Sequence, residues 1–216
     1  MEVPGDHSAW VHSVLQQHQL VKEHLNSFVR VLLEMVVAHS IASAEVSSQV
    51  QGQAPVLSYQ AVDAYGRLLV VLVKSKDQAF FHRVLIIICN VLKREAEEQS
   101  FNPRPYYRLL SGLMCDLLPS SEHSPDRLYG QLMGFSTLLK ALEPSSAPAF
   151  SFAWLDLLSH RLFMPRMLQL QNQQGWPIFQ KLLVSLFGFM DPALREVQLS
   201  EPMRLLDKGT LWVLLV

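Results

Sequence analysis

Apolar residues recurring at steps of three and four dominate this chain, and that spacing leaves little room for anything but helices. Phe28, Val31, Leu32, Met35, Val36 and His39 trace one face of a helix, with Arg30 and Glu34 on the other. Residues 58–74 repeat the pattern through Ala61, Tyr65, Leu68, Leu69 and Leu72. A third stretch starts at Asp77, a side chain suited to capping, and runs through Phe80, Phe81, Val84, Leu85, Ile88, Val91 and Leu92. It ends in the charged run Lys93-Arg-Glu-Ala-Glu-Glu98, which reads as a solvated helix end.

Between these segments lie short stretches rich in helix breakers. Residues 47–56 read as the longest and most polar loop. Asn102-Pro-Arg-Pro105 opens a helix whose apolar face holds Tyr106, Leu109, Leu110, Leu113 and Leu117. Ser124 or Asp126 caps the next helix, which reaches Leu142. Pro165 kinks or restarts the chain. Gly175-Trp-Pro opens a helix to Met190 that Asp191-Pro192 closes, and a last helix begins near Pro202. The β-branched run Val70-Val-Leu-Val73 sits inside a helical period. The expectation is an all-α fold of roughly eight to ten helices. Stacked antiparallel pairs of the HEAT type bury such faces, although no repeat of that length is visible in the sequence.

Half the residues are hydrophobic and 17% are charged, a surplus that must enter a core or lie exposed as contact surface. The 18 basic and 19 acidic residues are evenly spread, so no stripe suits nucleic acid and no basic amphipathic segment suits a membrane surface. Uninterrupted apolar runs, such as Val84–Cys89, are far shorter than the ~20 residues of a membrane span. The N-terminus reads as no signal peptide. Cys89 and Cys115 lie in apolar patterns and read as free thiols in a reducing compartment.

Material for chemistry is scarce. His12, His18 and His24 recur every sixth residue, a spacing that does not align side chains on a helix. No zinc-type Cys or His pairing and no glycine-rich phosphate loop is present, so no metal and no cofactor is expected. Asp156, Ser159 and His160 are near one another, but adjacent Ser159 and His160 point in different directions on a helix. Gly130 and Gly134, four apart, suit close approach of two helices. The densest aromatic region is 150–164. Phe150, Trp154 and Leu158 form a core stripe that Phe152 and Phe163 cannot join, which makes those two the candidates for an exposed partner-binding patch.

Four segments carry a resemblance to a known family. They are residues 146–168 (Ser-Ala-Pro-Ala-Phe-Ser-Phe-Ala-Trp-Leu-Asp-Leu-Leu-Ser-His-Arg-Leu-Phe-Met-Pro-Arg-Met-Leu), Gln174-Gly-Trp-Pro, residues 194–203 (Leu-Arg-Glu-Val-Gln-Leu-Ser-Glu-Pro-Met) and Lys208-Gly-Thr-Leu. In order and spacing they resemble the C-terminal domain of the Not-one family, scaffold subunits of the Ccr–Not deadenylase complex. Asp63-Ala-Tyr-Gly-Arg-Leu and Pro105-Tyr-Tyr-Arg-Leu-Leu agree less distinctively.

The resemblance implies a non-catalytic, HEAT-like domain that docks the Not-two and Not-three/five subunits. Its complex shortens messenger-RNA poly(A) tails and represses translation, in the cytoplasm and also the nucleus. Direct nucleic-acid, membrane or small-molecule binding is not expected of it. Family members continue past Lys-Gly-Thr-Leu, and Trp212 stands where they have a basic residue. Residues 1–216 are thus expected to form one such domain, incomplete at its C-terminus, with apolar surface bared on the last helix. The rival expectations are an RNA-binding helical repeat, which the charge balance disfavours, and a small hydrolase using His160 with Asp156.

Overall fold

The computed structural model describes residues 22–51, 58–195 and 199–215, which form nine α-helices. They are α1 (Lys22–Gln51), α2 (Gln60–Ser75), α3 (Gln78–Ala96), α4 (Arg104–Leu117), α5 (Pro125–Ala141), α6 (Ser151–Leu158), α7 (Met164–Leu168), α8 (Trp176–Leu194) and α9 (Glu201–Leu215). Among the described residues there is no strand. His12 and His18 lie outside them.

Local chemistry explains several boundaries. The Asp77 carboxylate accepts the Phe80 backbone N–H at 2.8 Å and so caps α3. Every apolar residue named on that helix is buried. The Asn102 side chain accepts the Arg104 N–H at 3.1 Å just before α4, which carries Pro105 in its first turn. Ser124 holds the cap position of α5 without a side-chain bond, while Asp126 sits in the first turn, where the helix dipole favours an anion.

Packing runs mainly between alternate helices. α2 lies on α4, α4 on α6 and α6 on α9, while α3 lies on α5 and α5 on α8. Two rows result, with α1 laid against α2 and α3. This is the stacked, HEAT-like arrangement, and its buried side chains form one continuous cluster.

Two polar contacts deep in the stack set helix positions. The Tyr65 hydroxyl of α2 donates to the Val29 carbonyl of α1 at 2.8 Å, and burial holds its phenol far above the usual range. The Trp154 indole N–H of α6 donates to the Leu139 carbonyl in the last turn of α5 at 2.7 Å. Within the α3–α5–α8 row, a Cβ on Gly134 would stand 2.6 Å from the Phe81 ring, so this glycine lets α3 and α5 approach closely, as its spacing suggests.

Four expectations are corrected. α1 continues to Gln51, so residues 47–51 are helical; 52–57 lie outside the described residues. The buried face of α1 is Leu25, Val29, Leu33, Val37 and Ser40, whereas Phe28, Val31 and Met35 point outward. α8 passes through Pro192 to Leu194. The proline's missing N–H and its ring fall opposite Gly188, which is exposed, so water can serve the freed carbonyl. The charged run at the end of α3 also makes cross-links. Arg94 donates to Glu34 of α1 at 2.9 Å, and the buried Tyr106 hydroxyl of α4 donates to Glu95 at 2.6 Å.

α1 contains a 20-residue window, His24–Ser43, long and apolar enough by composition to cross a bilayer. Its inner stripe instead packs on α2 and α3, and Glu34, midway along it, is ion-paired with both Arg30 and Arg94. Such charges are costly in hydrocarbon.

Removing the indole N–H tests the α5–α6 link. Trp154→Phe leaves the buried Leu139 carbonyl bare and should cost about 1–3 kcal/mol, read as a lower urea midpoint at unchanged slope. A loss below about 0.5 kcal/mol would mean the bond is dispensable.

Candidate interaction surface

The residues nearest to chemistry do not assemble a catalytic site. The Ser159 hydroxyl donates to the Leu155 carbonyl of its own helix at 2.9 Å, and Asp156 faces outward on α6. His160 is buried, and its Nδ1 accepts the Leu162 backbone N–H at 3.3 Å. That bond puts the ring proton on Nε2, which faces the Ser111 hydroxyl at 3.3 Å and the Cys115 thiol at 3.7 Å on α4. A nitrogen that carries the proton cannot take one from serine, so Ser111 is not activated as a nucleophile. Burial, helped by neighbouring Arg161, pushes His160 below the ordinary histidine range and keeps it neutral. The imidazole ties α4 to the turn between α6 and α7. Sequence reasoning missed Ser111 and Cys115, because only the stacking of α4 on α6 brings residues 45 and 49 positions away to this ring.

Of the two aromatic candidates, Phe152 is 47% exposed, on the outer side of α6. Phe163 is wholly buried, which corrects its place as a surface candidate. The helix ends at Leu158, and the Phe163 N–H then bonds the His160 carbonyl at 2.9 Å. Beyond that turn the period of α6 no longer applies, and the ring swings into the core. Gly175, in the Gln-Gly-Trp-Pro segment, has no room for a side chain: a Cβ there would overlap the Met167 carbonyl.

Among the described residues, several apolar faces remain at the surface. The outer side of α1 shows Phe28, Val31 and Met35. The outer side of α9 shows Leu205, Leu215 and Trp212, the last 64% exposed. α3, α5 and α8 present two adjoining hollows. One, of about 320 Å³, is lined by Leu85, Ile86 and Lys93 of α3 with Gly134, Thr137 and Ala141 of α5. The other, of about 490 Å³, continues over Thr137 and Ala141 to Met133 and Lys140, and to Ile178, Lys181 and Leu182 of α8. Among the described residues no three His, Cys, Asp or Glu side chains group closely enough to hold a metal ion.

A two-row helical stack with exposed apolar hollows and a histidine used as a structural tie defines a HEAT-like helical domain. Residues 114–216 match the family described as CCR4-Not complex component, Not1. These residues belong to the Not1 family. The general negative regulator of transcription subunit 1 of Saccharomyces cerevisiae is 30% identical over 214 residues, 89% of this chain. The CCR4-NOT transcription complex subunit let-711 of Caenorhabditis elegans is 28% identical over 94% of it. This chain spans only about a tenth of either relative, 10% and 9%. Among solved structures, the NOT1 superfamily homology domain of Chaetomium thermophilum matches 96% of the chain at TM-score 0.83 and 27% identity. A Not1 C-terminal domain in complex with Not4 matches 96% at TM-score 0.75 and 28% identity. The chain covers 41% and 42% of those two chains.

Two outcomes follow for stability. Because folding lowers the pKa of His160, the unfolded chain binds the extra proton more readily. The stabilisation is complete above the ordinary value near 6.5 and is lost as pH falls below it. The urea midpoint should therefore drop between pH 7.5 and 5.5, and a His160→Gln variant should flatten that drop; an equal drop in both would remove His160 as its source. Phe163→Ala should cost about 3–5 kcal/mol, whereas Phe152→Ala should stay within about 0.5 kcal/mol. Equal costs would contradict their opposite burial.

Proposed function

We propose that this chain is a helical domain of a CCR4-Not scaffold subunit and acts by docking other proteins, without catalysing a reaction itself. One observation carries the reading: its fold matches, at TM-score 0.75 and 28% identity, a Not1 C-terminal domain solved in complex with Not4. The surface supports it, because apolar faces on α1, α9 and the α3–α5–α8 hollows suit protein contacts.

The partners we assign are the C-terminal regions of Not-two and Not-three/five, with Not4 as a further one. Through them the domain supports messenger-RNA deadenylation, decay and translational repression, in the cytoplasm and the nucleus. Nuclease activity belongs to other subunits in this reading, and the domain needs no cofactor and no direct contact with RNA. His160 supports the non-catalytic part, since its Nδ1 accepts the Leu162 N–H and no carboxylate orients the ring as a base toward Ser111 among the described residues.

Retention assays with purified components test this. The immobilised chain should retain at least one of the Not-two region, the Not-three/five region and Not4. Retention of none of the three, by a chain with a cooperative thermal melt, would overturn the assignment.

A further inference from the structure

The two hollows on α3, α5 and α8 share Thr137 and Ala141, so they form one groove divided by a low ridge. Its floor is mostly apolar: Leu85, Ile86, Met133, Ala141, Ile178 and Leu182. Ile86 is well exposed, although it projects from a helix whose other face is core. The shared residues are small, and Gly134 beside them admits Phe81 and Leu85 from α3. Gly134, Thr137 and Ala141 follow one another at steps of three and four, so the face of α5 that meets α3 through a glycine continues into the hollow.

The rim of the groove carries Lys93, Lys140 and Lys181. Lys140 is committed to Glu143 and to Ser185 of α8, a clamp that holds the groove wall. Lys93 and Lys181 form no ion pair within contact distance among the described residues, although Lys93 lies near enough to Glu143 to favour its charged form. Each hollow thus has one cation without a close partner. Apolar anchors flanked by carboxylates match this arrangement; phosphates strung along a nucleic acid do not, because two such cations over an aliphatic floor offer neither a basic track nor a stacking ring.

We infer that the groove binds a short protein segment carrying two apolar anchors flanked by Asp or Glu, one anchor on each side of the Thr137 ridge. This rests on the docking role proposed above and assigns it a surface and a partner chemistry. The anchors fill hollows that are already formed, so little ordering of the receptor is needed. The acidic flanks meet Lys93 and Lys181, which select orientation and speed the encounter more than they add affinity.

The experiment presents a display library of short random peptides to the intact chain and measures the enriched peptides on variants. The expected result is enrichment of peptides that pair two large apolar residues with acidic neighbours. Thr137→Arg, at an exposed site, should weaken them at least about tenfold, or 1.4 kcal/mol, with an unchanged thermal melt. Lys93→Glu combined with Lys181→Glu should shift selection toward basic peptides, and it reports even if Thr137→Arg perturbs folding. Enriched peptides without acidic bias, or binding undiminished in both variants, would overturn the inference. So would a groove whose substitution abolishes only self-association or only RNA binding. Retention of Not-two, Not-three/five or Not4 is measured on the same variants. If those partners hold while no acidic peptide depends on Thr137, the groove assignment fails and the scaffold reading stands. If nothing is retained, the scaffold reading fails by itself.

Discussion

A helix leaves its last carbonyls without partners, and at the end of α5 one of them, Leu139, lies inside the core. The following backbone does not supply a donor, because the Glu143 N–H turns to the Lys140 carbonyl instead. The indole of Trp154 does, from the neighbouring helix, at 2.7 Å. A buried bare carbonyl would cost on the order of 1–3 kcal/mol, so α6 is held in the one place that avoids the penalty. The same helix leads into the turn that sets His160 over Ser111 and Cys115, and α9 packs on it.

The same economy of shape appears within the rows. Gly134 admits the Phe81 ring, which then meets Phe135 edge-on at 5.4 Å between centroids. At the surface, Asp63 of α2 receives Arg108 of α4 in a two-pronged pair, which keeps its carboxyl below the usual range. Exposed pairs of this kind add at most about 1 kcal/mol. The arrangement is therefore a matter of packing and buried hydrogen bonds, with the surface ions trimming register.

How much of this was visible in the residue order depended on the type of helix. On α3 and α4 the apolar stripe is one-sided, and the residues read from spacing are the buried ones. α1 is apolar on most of its circumference, so spacing alone could not tell which side faces α2 and α3; the chosen face, Phe28, Val31 and Met35, is the exposed one. Phe163 misled for a different reason, since periodicity holds only while the helix does. Pro192 misled because proline breaks a helix only where the lost bond is missed, and Gly188 faces solvent. For the interaction surface, the sequence held the apolar surplus but not its location. The groove arises from three helices far apart in the chain, and the tie at His160 from two.

The division of labour on α5 explains why such a surface can coexist with a tight core. One side of the helix carries Leu132, Phe135, Leu138 and Leu139, all buried; the opposite side carries Thr137 and Lys140 toward solvent. Because the buried side is fixed by Phe81 and Trp154, the exposed side holds Thr137 of the ridge and Lys140 of the rim in set positions. A charged groove on a mobile loop would lose affinity to ordering, whereas this one loses almost none. The apolar excess of the composition is thus spent twice, inward on a continuous core and outward on a contact surface that the core holds rigid.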